Sequence, residues 1–131
     1  MKALTIRQPW VGAIAHQTKR VENRTWKLPA KHERTRILIH AAAKPDLNAT
    51  VYGDHLDVYS AIVAVATITG SHWSDDGRCC GPWGEEGVYH WGLADVIALP
   101  EPVAAKGALG FWTPDGDVLA AVETRLLAVA R

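Results

Sequence analysis

Residues Gln8–Trp26 read QPWVGAIAHQTKRVENRTW, a stretch in which a helix, a cationic turn and a strand follow one another without a spacer. Proline at the first helical position has its φ already set and gives up no needed donor, so Pro9 opens a helix to about Thr18. Trp10, Val11 and Ile14 fall at helical spacing and give that helix a buried side. Lys19 and Arg20 form the exit turn. From Val21 to Trp26 the period changes to two, with Val21, Asn23 and Thr25 on one face and Glu22, Arg24 and Trp26 on the other. One strand face thus carries an acid, a base and an indole, about 7 Å apart in succession.

The flanking sequence supplies the rest of a sheet. Lys2–Arg7 alternates as a first strand, with Leu4 and Ile6 on one face. Lys27–Thr35 is a cationic loop, and Arg36–Ala41 is a strand that is apolar apart from its first residue, Arg36, and His40. Lys44-Pro45-Asp46 reads as a turn into a helix over Leu47–Tyr59, weakened at Gly53. Ala61–Thr69 is almost wholly apolar and β-branched, as a strand buried on both faces would be. Ser71–Gly87, with four glycines, both cysteines, Trp73 and Trp83, reads as a loop. Val88–Leu99 is a long strand with a bulge at Gly92, ended by Pro100–Pro102. Val103–Trp112 is a closing loop with a short strand. Thr113-Pro114-Asp115 caps a last helix with an apolar stripe of Val118, Val122, Leu126 and Val129. Five to six strands without regular βαβ alternation predict an α+β fold, a small mixed barrel with flanking helices. The expected division is one domain over 1–131, with the barrel in 2–113 and a terminal helix in 114–131.

At 131 residues, 48% apolar and 21% charged, the chain can bury one core, and no apolar run is long enough to span a membrane. Met1-Lys2 leads directly into a strand rather than a signal-peptide core, and the only cysteines, Cys79 and Cys80, are adjacent. Both features point to a reducing, cytoplasmic setting. The net charge of zero conceals a split. Residues 1–44 hold ten Lys/Arg against two acids, and residues 45–131 hold four against twelve. A basic half of +8 is the footprint expected of a phosphate-binding face, unless the two halves neutralise each other through surface pairs.

The stretch that opened the reading resembles the start of ASCH domains, members of the PUA-like superfamily. Their pattern is a Gln-Pro-Trp turn into a helix, followed by G-x-K-x-x-E-x-R. Here it stands as Gln17-x-Lys19-x-x-Glu22-x-Arg24, with glutamine in place of the glycine and Trp26 two residues on. RILIHAAAKP, AIVAVATIT and PVAAKGALGFW extend the resemblance to about residues 2–113. It implies a PUA-like barrel and a cleft between the first helix and the barrel, lined by the Lys, Glu and Arg of the motif. It also implies action on RNA or nucleotides, as a binding module or an enzyme. One similar protein hydrolyses the amide of acetylated cytidine with a Lys in this motif, a Thr three residues later and a distant Glu. This chain has Glu22 in place of that Thr, and the sequence assigns no distant Glu, Glu85 and Glu86 being merely available.

Two chemistries follow for the charged trio. Lys19 is either a cation seated at a helix C-terminus, or a phosphate clamp or amine of lowered pKa. Glu22 and Arg24 either pair with each other or present hydrogen bonds to a base edge. Trp10 and Trp26 either close the core or stack on bases. The resulting binding set is Arg7, Gln8, Trp10, Lys19, Arg20, Glu22, Arg24, Trp26, Lys27 and His40, for RNA, single-stranded nucleic acid or a nucleotide. His40 could equally be a satisfied core histidine. A ribonuclease or amidohydrolase would use Lys19 and Glu22. A third class is a protein-interaction module in transcription or translation regulation, with loop 71–87 as its contact. No cofactor is expected. A metal site built on His72, Cys79, Cys80 and His90 is set aside, because adjacent cysteines lack the usual CxxC spacing.

Overall fold

A computed structural model describes residues 1–130. Six strands make one curled mixed sheet, a half-barrel, in the order β2-β5-β4-β3-β1-β6. The strands are β1 (Lys2–Ile6), β2 (Val21–Arg24), β3 (Thr35–Ala41), β4 (Ala61–Ser74), β5 (Val88–Ala104) and β6 (Phe111–Trp112). Only β1 and β3 run parallel, with Leu4 opposite Ile39; every other pairing is antiparallel. Helix α1 (Trp10–His16) and helix α2 (Gly116–Val129) flank the sheet. This is the α+β architecture expected.

The curl divides the buried residues into two groups, one on each side of the sheet. The larger contains Leu4, Ile6, Ile37, Ile39, Ile68 and Trp91, together with Val11 and Ile14 of α1. The smaller contains Leu38, Ile62, Val65 and Leu99 and is covered by α2 through Val122. Alternation along β3 explains this: Ile37 and Ile39 face α1, while Leu38 faces α2. Asp115 caps α2, its carboxylate accepting the Val118 amide at 3.0 Å. Of the apolar stripe on α2, Val122 is buried, whereas Val129 is 45% exposed.

Two long strands differ from the sequence reading. β4 continues through Ser71–Ser74, and β5 continues through Pro100 and Pro102 to Ala104. The prolines are tolerated because the register skips from Ala64↔Ala98 to Ile62↔Val103, so they stand in an irregular span where a ladder donor is not needed. A bulge does occur opposite Gly92, where Thr69 and Gly70 of β4 together face that one residue, since Ile68 pairs with Leu93 and Ser71 with Trp91. A Cβ on Gly92 would collide with the Thr69 side chain.

The helix expected over Leu47–Tyr59 is not formed. His55 has φ of 65° and Gly53 has φ of 142°, conformations that no right-handed helix contains. The segment is instead a strap tied to α1. Gln8 Nε2 donates to the carbonyls of Val58 at 3.0 Å and His55 at 3.3 Å, and Gln8 Oε1 accepts the Gly12 amide at 2.9 Å. Gly12 lets the strap approach so closely that a Cβ there would lie 2.6 Å from Leu56 Cδ2. No helix among the described residues is long and apolar enough to cross a membrane.

Candidate nucleotide-binding cleft

The end of β1, the start of α1 and strand β2 converge on a cleft of about 230 Å³. Arg7, Trp10, Lys19, Glu22 and Arg24 line it, five of the ten residues in the expected binding set. Thr5, Ile6, Asn23, Asp46 and Glu85 complete the wall.

Glu22 is the hub. Its Oε2 lies 2.9 Å from Arg24 Nη2 and accepts from Arg24 Nε at 3.0 Å, while its Oε1 lies 3.5 Å from Lys19 Nζ. The period-2 placement of Glu22 and Arg24 on one strand face makes the first contact possible. Lys19 reaches the second from the loop after α1, where its amide bonds to Ala13 O and its ammonium donates to Val21 O. Burial lowers the Lys19 pKa, and the Glu22 carboxylate partly offsets this by favouring the charged form. Arg24 also donates to Thr5 O at 3.2 Å and lies 5.5 Å and 5.6 Å from the ring centroids of Trp26 and Trp91.

At the other end, Asp46 collects the Trp10 indole N–H at 3.1 Å, the Asn48 amide at 3.0 Å and Arg7 at 3.7 Å. The Trp10 hydrogen bond is the main reason that its carboxyl titrates below the usual range. Among the lining residues three cations therefore face three acids. The cleft is polar and charge-balanced rather than a uniformly cationic surface, and the +8 half of the sequence does not gather here. Lys2, Lys31 and Arg36 line a different depression.

The remaining expected residues do other work in the fold. Gln8 is buried and holds the 47–59 strap. Arg20 caps α1, donating to Ile14 O at 3.0 Å and Gln17 O at 3.3 Å. Trp26 and Lys27 lie past the end of β2 and are exposed, Trp26 packing edge-on to Trp91. His40 is buried and opens towards a separate cavity with Lys106 and Gly107. There a carbonyl, which can only accept, fixes its tautomer: Nε2–H donates to Ala105 O at 2.7 Å. Nδ1 then accepts from the Thr5 hydroxyl at 3.0 Å, which in turn accepts the Trp112 indole N–H at 2.9 Å. This is a satisfied histidine in a closed chain of bonds.

Glu85 was not assignable by sequence. It arrives because Asn23 grips the loop before β5: Asn23 Nδ2 donates to Trp83 O at 2.9 Å and its Oδ1 accepts the Glu85 amide at 3.0 Å. The Trp83 indole donates to Thr18 at 3.0 Å, tying the same loop to the turn after α1. That loop also carries Cys79 and Cys80 onto His72 of β4 and His90 of β5, and the ligating atoms of these four potential metal ligands all lie within 4.8 Å of one another. CxxC spacing is not needed to gather them, because two of the four come from paired strands.

Comparison with known proteins places the architecture. A family model of the ASCH domain matches residues 4–103. The fold is similar to the crystal structure of ASCH from Zymomonas mobilis, with a TM-score of 0.61 at 15% identity over 94% of this chain and 93% of that one. Two mutants of that protein, one serine-to-alanine and one tyrosine-to-phenylalanine, give TM-scores of 0.60 and 0.59, also at 15% identity, each over 94% of this chain and over 94% and 96% of the mutant chains respectively. Comparison with curated protein sequences gave no match. The match across 4–103 covers the sheet from β1 to β5 and the whole charged trio, and the chain belongs to the ASCH domain family.

Proposed function

We propose that the cleft binds a nucleotide or an unpaired base of single-stranded RNA, with the base edge read by Glu22 and Arg24. The observation that carries this is the Lys19–Glu22–Arg24 array at a pocket of balanced charge. A pocket with three cations and three acids suits a neutral base with its own donors and acceptors better than a run of phosphates. Glu22 retains acceptor capacity beyond its two ion pairs, and Arg24 Nη1 remains available as a donor. The edge of Trp10 offers an apolar wall. Arg7, 62% exposed at the rim, is the group placed for a flanking phosphate.

Titration of short single-stranded RNAs and free nucleotides into the protein, followed by calorimetry or fluorescence anisotropy, tests this. Saturable binding that Arg24→Ala weakens by about tenfold or more is expected, a charge-assisted hydrogen bond contributing about 1.5–3 kcal/mol. Absence of binding to every RNA and nucleotide at low salt would overturn the proposal.

A second reading, hydrolysis of a modified nucleoside, is favoured by one specific observation: Glu85 stands in the same cleft as Lys19, whose pKa burial lowers. A lysine with a distant glutamate are two of the three parts of the similar amidohydrolase, with Glu22 at the position of its threonine. Lys19 would act as base or nucleophile and Glu85 as proton carrier. Turnover of an acylated nucleoside that survives Lys19→Ala and Glu85→Gln would exclude it.

A further inference from the structure

We propose that His72, Cys79, Cys80 and His90 form a structural zinc site that fixes the loop between β4 and β5. His72 and His90 are direct cross-strand partners near the loop end of the β4–β5 hairpin. Opposed residues of an antiparallel pair project from the same face, which puts two imidazoles side by side. Their ring centroids are 5.4 Å apart.

The loop brings both thiols onto that pair. Residues Arg78–Trp83 form a 3-10 turn interrupted at Cys80 (φ −131°, ψ 35°) and Gly81 (φ 72°, ψ −159°). Adjacent side chains in a regular turn diverge. The break after Cys79, completed by a left-handed Gly81, lets both sulfurs face inward. All four sulfur–nitrogen separations are short: His72 Nε2 lies 3.0 Å from Cys79 Sγ and 3.7 Å from Cys80 Sγ, and His90 Nδ1 lies 3.1 Å and 3.4 Å from the same atoms. Tetrahedral zinc, with Zn–S about 2.3 Å and Zn–N about 2.0–2.1 Å, requires sulfur–nitrogen edges of about 3.5 Å. The observed edges of 3.0–3.7 Å bracket that value, and Cys2His2 is the donor set that soft thiolates and imidazoles offer to zinc.

The outer contacts are those of a ligand. His90 Nε2–H donates to Glu85 O at 2.7 Å, which leaves the Nδ1 lone pair aimed at the thiols. Gly84 makes room for that ring, since a Cβ there would lie 2.6 Å from His90 Cε1. Ser74 accepts the Gly77 amide at 3.0 Å and sits 3.8 Å from Cys79 Sγ, closing the turn below the cluster. The consequence reaches the cleft, because Trp83 and Glu85, which Asn23 holds against β2, belong to the pinned loop. The metal site itself stands whatever the cleft binds.

The test uses the full chain, purified reduced, with Zn²⁺ and then Co²⁺ as probes. One zinc per chain is expected by elemental analysis. Cobalt should give thiolate-to-metal charge transfer and the intense d–d bands of a tetrahedral centre. His72 and Cys79 are exposed, so His72→Ala and Cys79→Ser should fold. Each should lose affinity by more than the roughly 10–100-fold typical of outer-shell partners. Chelation should make the 75–87 segment newly sensitive to limited proteolysis while leaving the sheet intact. Less than stoichiometric zinc on the reduced chain, cobalt spectra unchanged in His72→Ala, or a Cys79–Cys80 disulfide forming in the presence of zinc would each overturn the assignment.

Discussion

Lys19 and Glu22 share an ion pair from which water is almost excluded, Nζ lying 3.5 Å from Oε1 with the side chains 2% and 9% exposed. A lone ammonium at that depth would be far costlier than an exposed one, so the carboxylate makes the buried lysine possible. Glu22 spends its second oxygen on Arg24, and one carboxylate therefore organises both cations of the motif. Removing it leaves charge behind. Glu22→Ala is expected to cost about 3–5 kcal/mol in urea unfolding, as breaking a buried pair from one side does. It should also depress the Lys19 pKa further, because Glu22 is the main influence opposing desolvation. Lysine-selective labelling near neutral pH should then be faster at Lys19 in the variant.

The histidines give the fold an acid-sensitive side. Burial is the first cause of the lowered pKa of His16, His32 and His40, and for His40 it outweighs the bond to Ala105. With folded values below the unfolded value of about 6.5, the unfolded chain binds more protons as pH falls through that value. The stability that these groups contribute is present above about pH 6.5 and is lost as pH drops towards their folded values. Urea midpoints should fall between about pH 7 and 5, and His40→Gln should flatten part of that slope.

Gly12 tests the strap. Leu56 Cδ2 and His55 O would lie 2.6 Å and 2.8 Å from a Cβ at this position, and a backbone carbonyl cannot swing aside as a side chain can. Gly12→Ala should raise intrinsic helix propensity yet destabilise the protein by about 1–3 kcal/mol through overpacking. Protease cleavage within 47–59 should appear before global unfolding. A more stable variant would show that the strap is not packed as described.

The motif and the sheet were legible because each is written in local periodicity. The change from period 3.6 to period 2 at Val21 placed Glu22 and Arg24 together, and β-branched runs marked β3 and the first half of β4. Three features were not legible, each for a non-local reason. The 47–59 strap has helix-like composition, but Gln8, some fifty residues away in sequence at Val58, takes its carbonyls. Asn23 captures Glu85 across sixty-two positions, which no spacing rule anticipates. The thiol–imidazole cluster was set aside on cysteine spacing; what brings its ligands together is the run of β4 past Thr69, which stands His72 opposite His90. Arg20 and His40 have the right chemistry for the expected set, and the sequence could not show that they make their bonds to α1 and, for His40, to Ala105 and the Thr5–Trp112 chain.

Asp46 sets the charge balance at the rim of the cleft. Its carboxylate holds Arg7 at 3.7 Å and the Trp10 indole at 3.1 Å, so the one well-exposed cation of the rim is partly neutralised from within. Asp46→Asn keeps an acceptor for Trp10 and removes the charge. If the ligand is a strand segment whose base enters the cleft and whose phosphate meets Arg7, the variant should bind short single-stranded RNA more tightly. Its logarithmic salt dependence should steepen by about 0.7, the increment for one further phosphate neutralised on a single strand. Binding of a free nucleoside, which has no phosphate, should change little. A loss of affinity for both ligands would instead mean that Asp46 accepts a hydrogen bond from the ligand itself, placing the sugar or base at the Trp10 end of the cleft.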